Sequence, residues 1–116
     1  MDLRPLDDRW LPVPDVAAIL GTSARDVRNL IRSQHLLACR IEGLEGGRIP
    51  SAFLDRDGIV DGLRGSIIQL TDSGMTADQA IAWLLSPNDE LGCTPVAALH
   101  AGRKHAVRRA ALGEAL

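Results

Sequence analysis

The chain has no tyrosine, one phenylalanine and two tryptophans among its 116 residues. An aromatic core is therefore excluded, and the interior has to be assembled from Leu, Ile, Val and Ala. Cysteine is equally scarce: Cys39 and Cys93 cannot make a disulfide framework. Long apolar runs are missing too. The longest, AIAWLL at 80–85, falls far short of the roughly 20 residues needed to cross a bilayer. The opening MDLRPLDDRW is charged and has no signal-peptide stretch. The expectation is a cytoplasmic protein with reduced thiols and no membrane contact, long enough to fold around a core.

A strong basic excess is also absent, since the net charge is −2. That argues against strong non-specific binding to a polyanion. The charge is unevenly placed, however. Residues 21–50 carry five arginines against three acids, and residues 93–116 carry four basic groups against one acid. Residues 51–92 hold seven acids against two arginines, a stretch read as solvated surface. Charges farther apart than a Debye length of about 8 Å are screened, so local charge decides what a duplex meets.

Residues 1–12 are expected to be an extended arm, because Pro5, Pro12 and Pro14 discourage helix. Pro14 suits the first turn of a helix reaching Leu20, and Gly21 suits its left-handed C-terminal cap. Ser23 caps a second helix, with Asp26 three residues on, running to about Ser33. Val27, Leu30 and Ile31 form its inward stripe, leaving Arg25, Arg28, Asn29 and Arg32 mostly on the other side. Ala17 is small enough for the two helices to cross closely. Leu37, Cys39 and Ile41 then alternate with Ala38, Arg40 and Glu42, the period of a half-buried strand. After a loop with Gly43, Gly46 and Gly47, the segment RIP at 48–50 offers a return strand, with Phe53 and Leu54 packing beneath.

The remainder reads as helical. DRDG at 55–58 is a turn, and Gly62 delays the next helix to near Leu63. Thr76 and Gln79 form a capping box for 77–86, which Pro87 ends, and Trp83 and Leu84 are expected in the core with Ile67 and Leu70. Thr94 and Pro95 open a short helix to about His100, and a last helix spans about 103–113. Its basic cluster Arg103, Lys104, Arg108 and Arg109 is read as solvated, with phosphate contact as the alternative.

Catalytic and metal readings find no support. His100 and His105 are five apart and share no helix face, and no third ligand lies close in sequence. Cys39 falls on the inward side of a strand and reads as a small core residue. Cys93 precedes a helix but has no base partner nearby in sequence. No P-loop, GxGxxG or paired-carboxylate motif occurs. No enzyme activity, metal or cofactor is expected.

Residues 13–54, with VAAILGTSARDVRNLIRSQHLLACRI followed by GRIP, resemble the winged helix-turn-helix of excisionase and MerR-type proteins. Thr22 departs from that pattern, which more often has an apolar residue there. Over about 13–112, GLRGSIIQLTDSG, WLLSPNDEL and PVAALHAGRKHAVRRA are similar to a small actinobacterial family of winged-helix DNA-binding proteins. A shorter likeness, over about 80–112, is to the toxin-binding segment of helix-turn-helix antitoxins. The resemblances imply a mainly α protein: a winged helix-turn-helix with a small β-hairpin wing at 1–55, then a helical C-terminal domain at 56–116. They imply double-stranded DNA as partner, nucleoid association and a role in transcription regulation. The alternative is an antitoxin-like module, with a protein partner or a second copy docking on the C-terminal helices. Ser23, Arg25, Arg28, Asn29 and Arg32 are the expected DNA contacts on the second helix. Arg40 and Arg48 on the wing are expected at phosphates or the minor groove.

Overall fold

A proline-rich entry and a glycine exit delimit the first helix, α1, at Val13–Leu20. Pro12 caps it in an extended conformation, and Gly21 ends it at φ +69°, which costs a glycine little. Two residues later Ser23 accepts a 3.1 Å hydrogen bond from the Asp26 amide and opens α2, Ala24–Arg32. The computed structural model describes residues 2–114. Met1 of the expected arm and Ala115 and Leu116 of the expected C-terminal domain therefore lie outside it.

The expected extended arm is more structured than its prolines suggest. Residues Arg4–Leu6 make a 3-10 turn, and Trp10–Pro12 form strand β1. β1 pairs antiparallel with β2, Arg48–Pro50, in the register Trp10↔Pro50, Leu11↔Ile49, Pro12↔Arg48. The return strand of the wing thus has its main partner at the N-terminus. The wing hairpin itself narrows to one antiparallel bridge, Cys39↔Arg48, closed by two backbone hydrogen bonds of 2.9 and 2.7 Å. A 3-10 turn at Ser51–Phe53 follows. Its entry is held by Asp7, which accepts from the Ser51 hydroxyl and the Ala52 amide, each at 2.9 Å. The DRDG turn closes a second short hairpin, β3 Leu54–Asp55 with β4 Gly58–Ile59.

The C-terminal helices begin where the sequence places them. α3 is Leu63–Asp72, α4 Ala77–Leu85, α5 Pro95–His100 and α6 Lys104–Leu112. Gly62 caps α3 at φ +87°, and an added Cβ there would stand 2.5 Å from Cβ of Lys104, so α6 approaches α3 as closely as a glycine allows. The capping box of Thr76 and Gln79 forms on both sides at the start of α4. One hydrophobic cluster runs through both halves, from Val16, Val27, Ile49 and Phe53 to Leu63, Ile67, Ile81, Leu84 and Val107. Trp83 is not in its interior. It is half-buried, and its Nε1 donates to the exposed Glu114 carboxylate at 3.0 Å. No helix among the described residues is long and apolar enough to cross a membrane.

Candidate nucleic-acid interface

Two short helices joined by a tight turn expose one face of the second. Ala17, buried in α1, permits the close crossing, and Thr22 N–H bonds to the Ala17 carbonyl at 2.9 Å across the Gly21 turn. Val27 is fully buried beneath α2, and Leu30 and Ile31 are partly so. With that stripe facing inward, the 3.6-residue period puts Arg25, Arg28, Asn29 and Arg32 outward, and all four are exposed. Long cationic side chains three and four residues apart make a continuous row.

The start of the row is fixed by polar contacts. Thr22 is exposed and its hydroxyl donates to the Asp26 carboxylate, so the position where an apolar residue is more usual serves α2 by hydrogen bonding. That bond, with Ser23 beside it, holds the Asp26 carboxyl below the ordinary carboxylate value. The Ser23 side chain is engaged at the start of α2 both ways: its oxygen accepts from the Asp26 amide, and its hydroxyl faces the Asp26 carboxylate.

The wing handles its arginines differently. Arg40 is exposed, but a shallow pocket groups it with Asp2 and Glu42. Arg48 is half-buried and turned inward. Its Nε and Nη2 donate to the Glu45 carbonyl at 3.2 and 3.0 Å, and its Nη1 donates to the Trp10 carbonyl at 3.3 Å. Arg48, where a groove contact is expected, thus uses all three guanidinium nitrogens to close the wing onto itself and onto β1. Cys39 at the wing base is buried. Desolvation, reinforced by the Asp78 charge, pushes its thiol up to about 11, the behaviour of an inert core cysteine.

Residues 2–54 match the family model for the winged helix-turn-helix domain of DNA-binding protein Rv2175c, and residues 60–115 match the Rv2175c C-terminal domain, of unknown function. The chain belongs to the Rv2175c family. The DNA-binding protein Rv2175c of Mycobacterium tuberculosis is 32% identical over 123 residues, covering 94% of this chain and 83% of the relative. The NMR structure of Rv2175c superposes with a TM-score of 0.83 at 30% identity, covering 95% of this chain and 83% of that one.

In this Rv2175c-family chain the C-terminal segment braces the outward helix, which the sequence alone did not reveal. Arg64 of α3 donates from Nε to the Ser33 carbonyl, the C-cap of α2, at 3.3 Å. Gln34, at φ +65°, turns the chain after α2 and donates to the Thr71 hydroxyl of α3 at 2.9 Å. A third link ties α5 to the 3-10 turn after β2, where His100 Nε2 donates to the Ala52 carbonyl at 2.6 Å. No short-range pattern announces these contacts, since each joins residues more than 30 apart in the chain.

Proposed function

We propose that this chain binds double-stranded DNA sequence-specifically and acts as a transcription regulator, with α2 in the major groove and no catalytic role. The carrying observation is the outward row Arg25, Arg28, Asn29 and Arg32 on a capped, braced helix. Among the described residues, the one ion pair joins Lys104 to Asp61 at 3.0 Å, so these arginines spend no charge on protein acids. The name of the M. tuberculosis relative supports the same reading. Arginine pairs bidentately with guanine and asparagine with adenine, which assigns base contacts to Arg28 and Asn29 in mid-helix. Ser23, Arg25 and Arg32 near the helix ends fall to the flanking phosphates. Arg40 is left as a wing contact, and Arg48 as a wing closure. In this reading residues 1–55 are the reader and 56–116 a helical domain that positions it, in a cytoplasmic protein associated with the chromosome.

The test is selection of duplexes from a random pool by the purified protein, followed by fluorescence anisotropy on the winner and on its scrambled version. Enrichment of one motif, bound more tightly than the scrambled duplex, is the expected result. Failure to enrich any motif would overturn the reading and favour docking of a protein on the C-terminal helices.

A further inference from the structure

The wing offers one exposed arginine, Arg40, to the phosphates. Its loop carries Glu42 and Glu45, both exposed, and Arg48 is turned inward. Further free cationic donors occur at the C-terminal end of α2. Arg64 is exposed and commits only Nε, to the Ser33 carbonyl, so both terminal nitrogens of its guanidinium remain available beside the end of the arginine row. The next residue, Gly65, has no side chain, and Arg108 of α6 lies over it. A Cβ at Gly65 would stand 3.7 Å from Arg108 Cδ and Nε and 3.8 Å from Cζ. The bare backbone there lets an exposed arginine of α6 lie against α3 at Gly65, the residue next to Arg64 in the chain. The acids of α3 and its lead-in do not cancel the pair: Asp61 is engaged by Lys104, and Asp72 stands at the far end of the helix.

We infer that Arg64 and Arg108 of the C-terminal domain form a second, sequence-independent contact to the DNA sugar–phosphate backbone, continuing the row of Arg25, Arg28 and Arg32. The inference rests on the DNA-binding reading above. Helix length supports it. The nine residues of α2 span about 13 Å, and the major groove is about 12 Å wide. With the bases read from mid-helix, donors just past the C-terminus of a helix that spans the groove reach the flanking phosphates and not the bases. The domain of unknown function then has two tasks on DNA: Arg64 holds the end of α2, and Arg64 with Arg108 adds to the charge that the wing supplies through Arg40 alone.

The experiment is anisotropy with the full chain on the selected and scrambled duplexes at several salt concentrations. Arg108→Ala should bind both duplexes about three- to tenfold more weakly and flatten the slope of log K against log salt by about 1. Arg108→Glu should weaken both further, whereas Arg109→Ala, one position round the helix, should match wild type. Arg108 is exposed, so the melting temperature should not move and a folding defect will not mimic the result. Arg64→Lys should keep the slope that Arg64→Ala loses. Equal slopes for those two would reduce Arg64 to a brace and remove it from the contact. Wild-type affinity and slope in Arg108→Ala and Arg108→Glu would overturn the inference while leaving the DNA-binding reading intact. A loss confined to the selected duplex would overturn it as well, because a phosphate contact carries no sequence information. Absence of binding by wild type itself would instead mark failure of the underlying reading.

Discussion

The outward helix α2 and the wing both carry arginines, and they use them in opposite ways. On α2 the backbone is already satisfied by the helix, the Ser23 cap and the Arg64 brace, so Arg25, Arg28 and Arg32 have no internal duty. The wing is a short loop closed by one bridge, and Arg48 donates both to its own loop carbonyl at Glu45 and to the Trp10 carbonyl of the neighbouring β1. The α2 arginines are thus left to a partner because their backbone is satisfied by other means, whereas Arg48 commits all three guanidinium nitrogens to carbonyls. Count and spacing alone do not separate the two cases.

Breaking the common support should abolish the contrast and give the largest effect. Phe53 is fully buried, follows the wing's return strand and accepts at its carbonyl from the Val60 amide at 3.0 Å. Phe53→Ala should lower stability by about 3–5 kcal/mol in chemical denaturation, with α2 and the wing lost together. A loss below about 1 kcal/mol would mean that the two halves do not share this core.

A smaller effect sharpens the comparison. Arg48→Ala should cost about 0.5–1.5 kcal/mol of stability, since it removes hydrogen bonds that close the wing on β1. DNA affinity and its salt slope should stay at wild-type values. A salt slope flattened by about 1 would return Arg48 to the phosphate-contacting role its sequence position suggested.

The smallest expected effect concerns the start of α2. Asp26 is held below the ordinary carboxylate value chiefly by the Thr22 hydroxyl. A carboxyl whose folded pKa is depressed stabilises the fold above its unfolded value, near 4, and that contribution disappears as pH falls through the folded value. Thr22→Val should therefore raise the Asp26 midpoint, read by NMR titration of its side chain, and make stability less sensitive to pH below about 4. Because Asp26 is exposed, the change in stability should be slight. An unchanged midpoint would show that the Thr22 contact is not what lowers it.

The legible parts of this molecule are the local ones. Ala17, Gly21, Ser23 and Val27 lie within eleven positions and mark the crossing, turn, cap and core of the helix pair; the structure has each in that role. The starts of α3, α4 and α5 were equally readable from Gly62, Thr76 and Thr94. The pairing of Trp10–Pro12 with Arg48–Pro50 was not, because three residues between prolines hold no periodicity and the partner is nearly 40 positions away. Trp83 misled for a related reason. Its position in AIAWLL suits the core, but its indole N–H finds an acceptor at Glu114 on the surface, and an amphipathic ring accepts that half-buried place. Arg64 escaped notice because a single arginine in an acidic stretch looks solvated until the fold brings Ser33 beside it.

The account turns on whether the free arginines of α2 read bases. The direct measurement is the affinity of wild type and Arg28→Ala for the selected and the scrambled duplex, by anisotropy at matched salt. The substitution should cost about 1–3 kcal/mol on the selected duplex and much less on the scrambled one. Equal affinities of wild type and Arg28→Ala on both duplexes would contradict the account and leave the row as solvated surface.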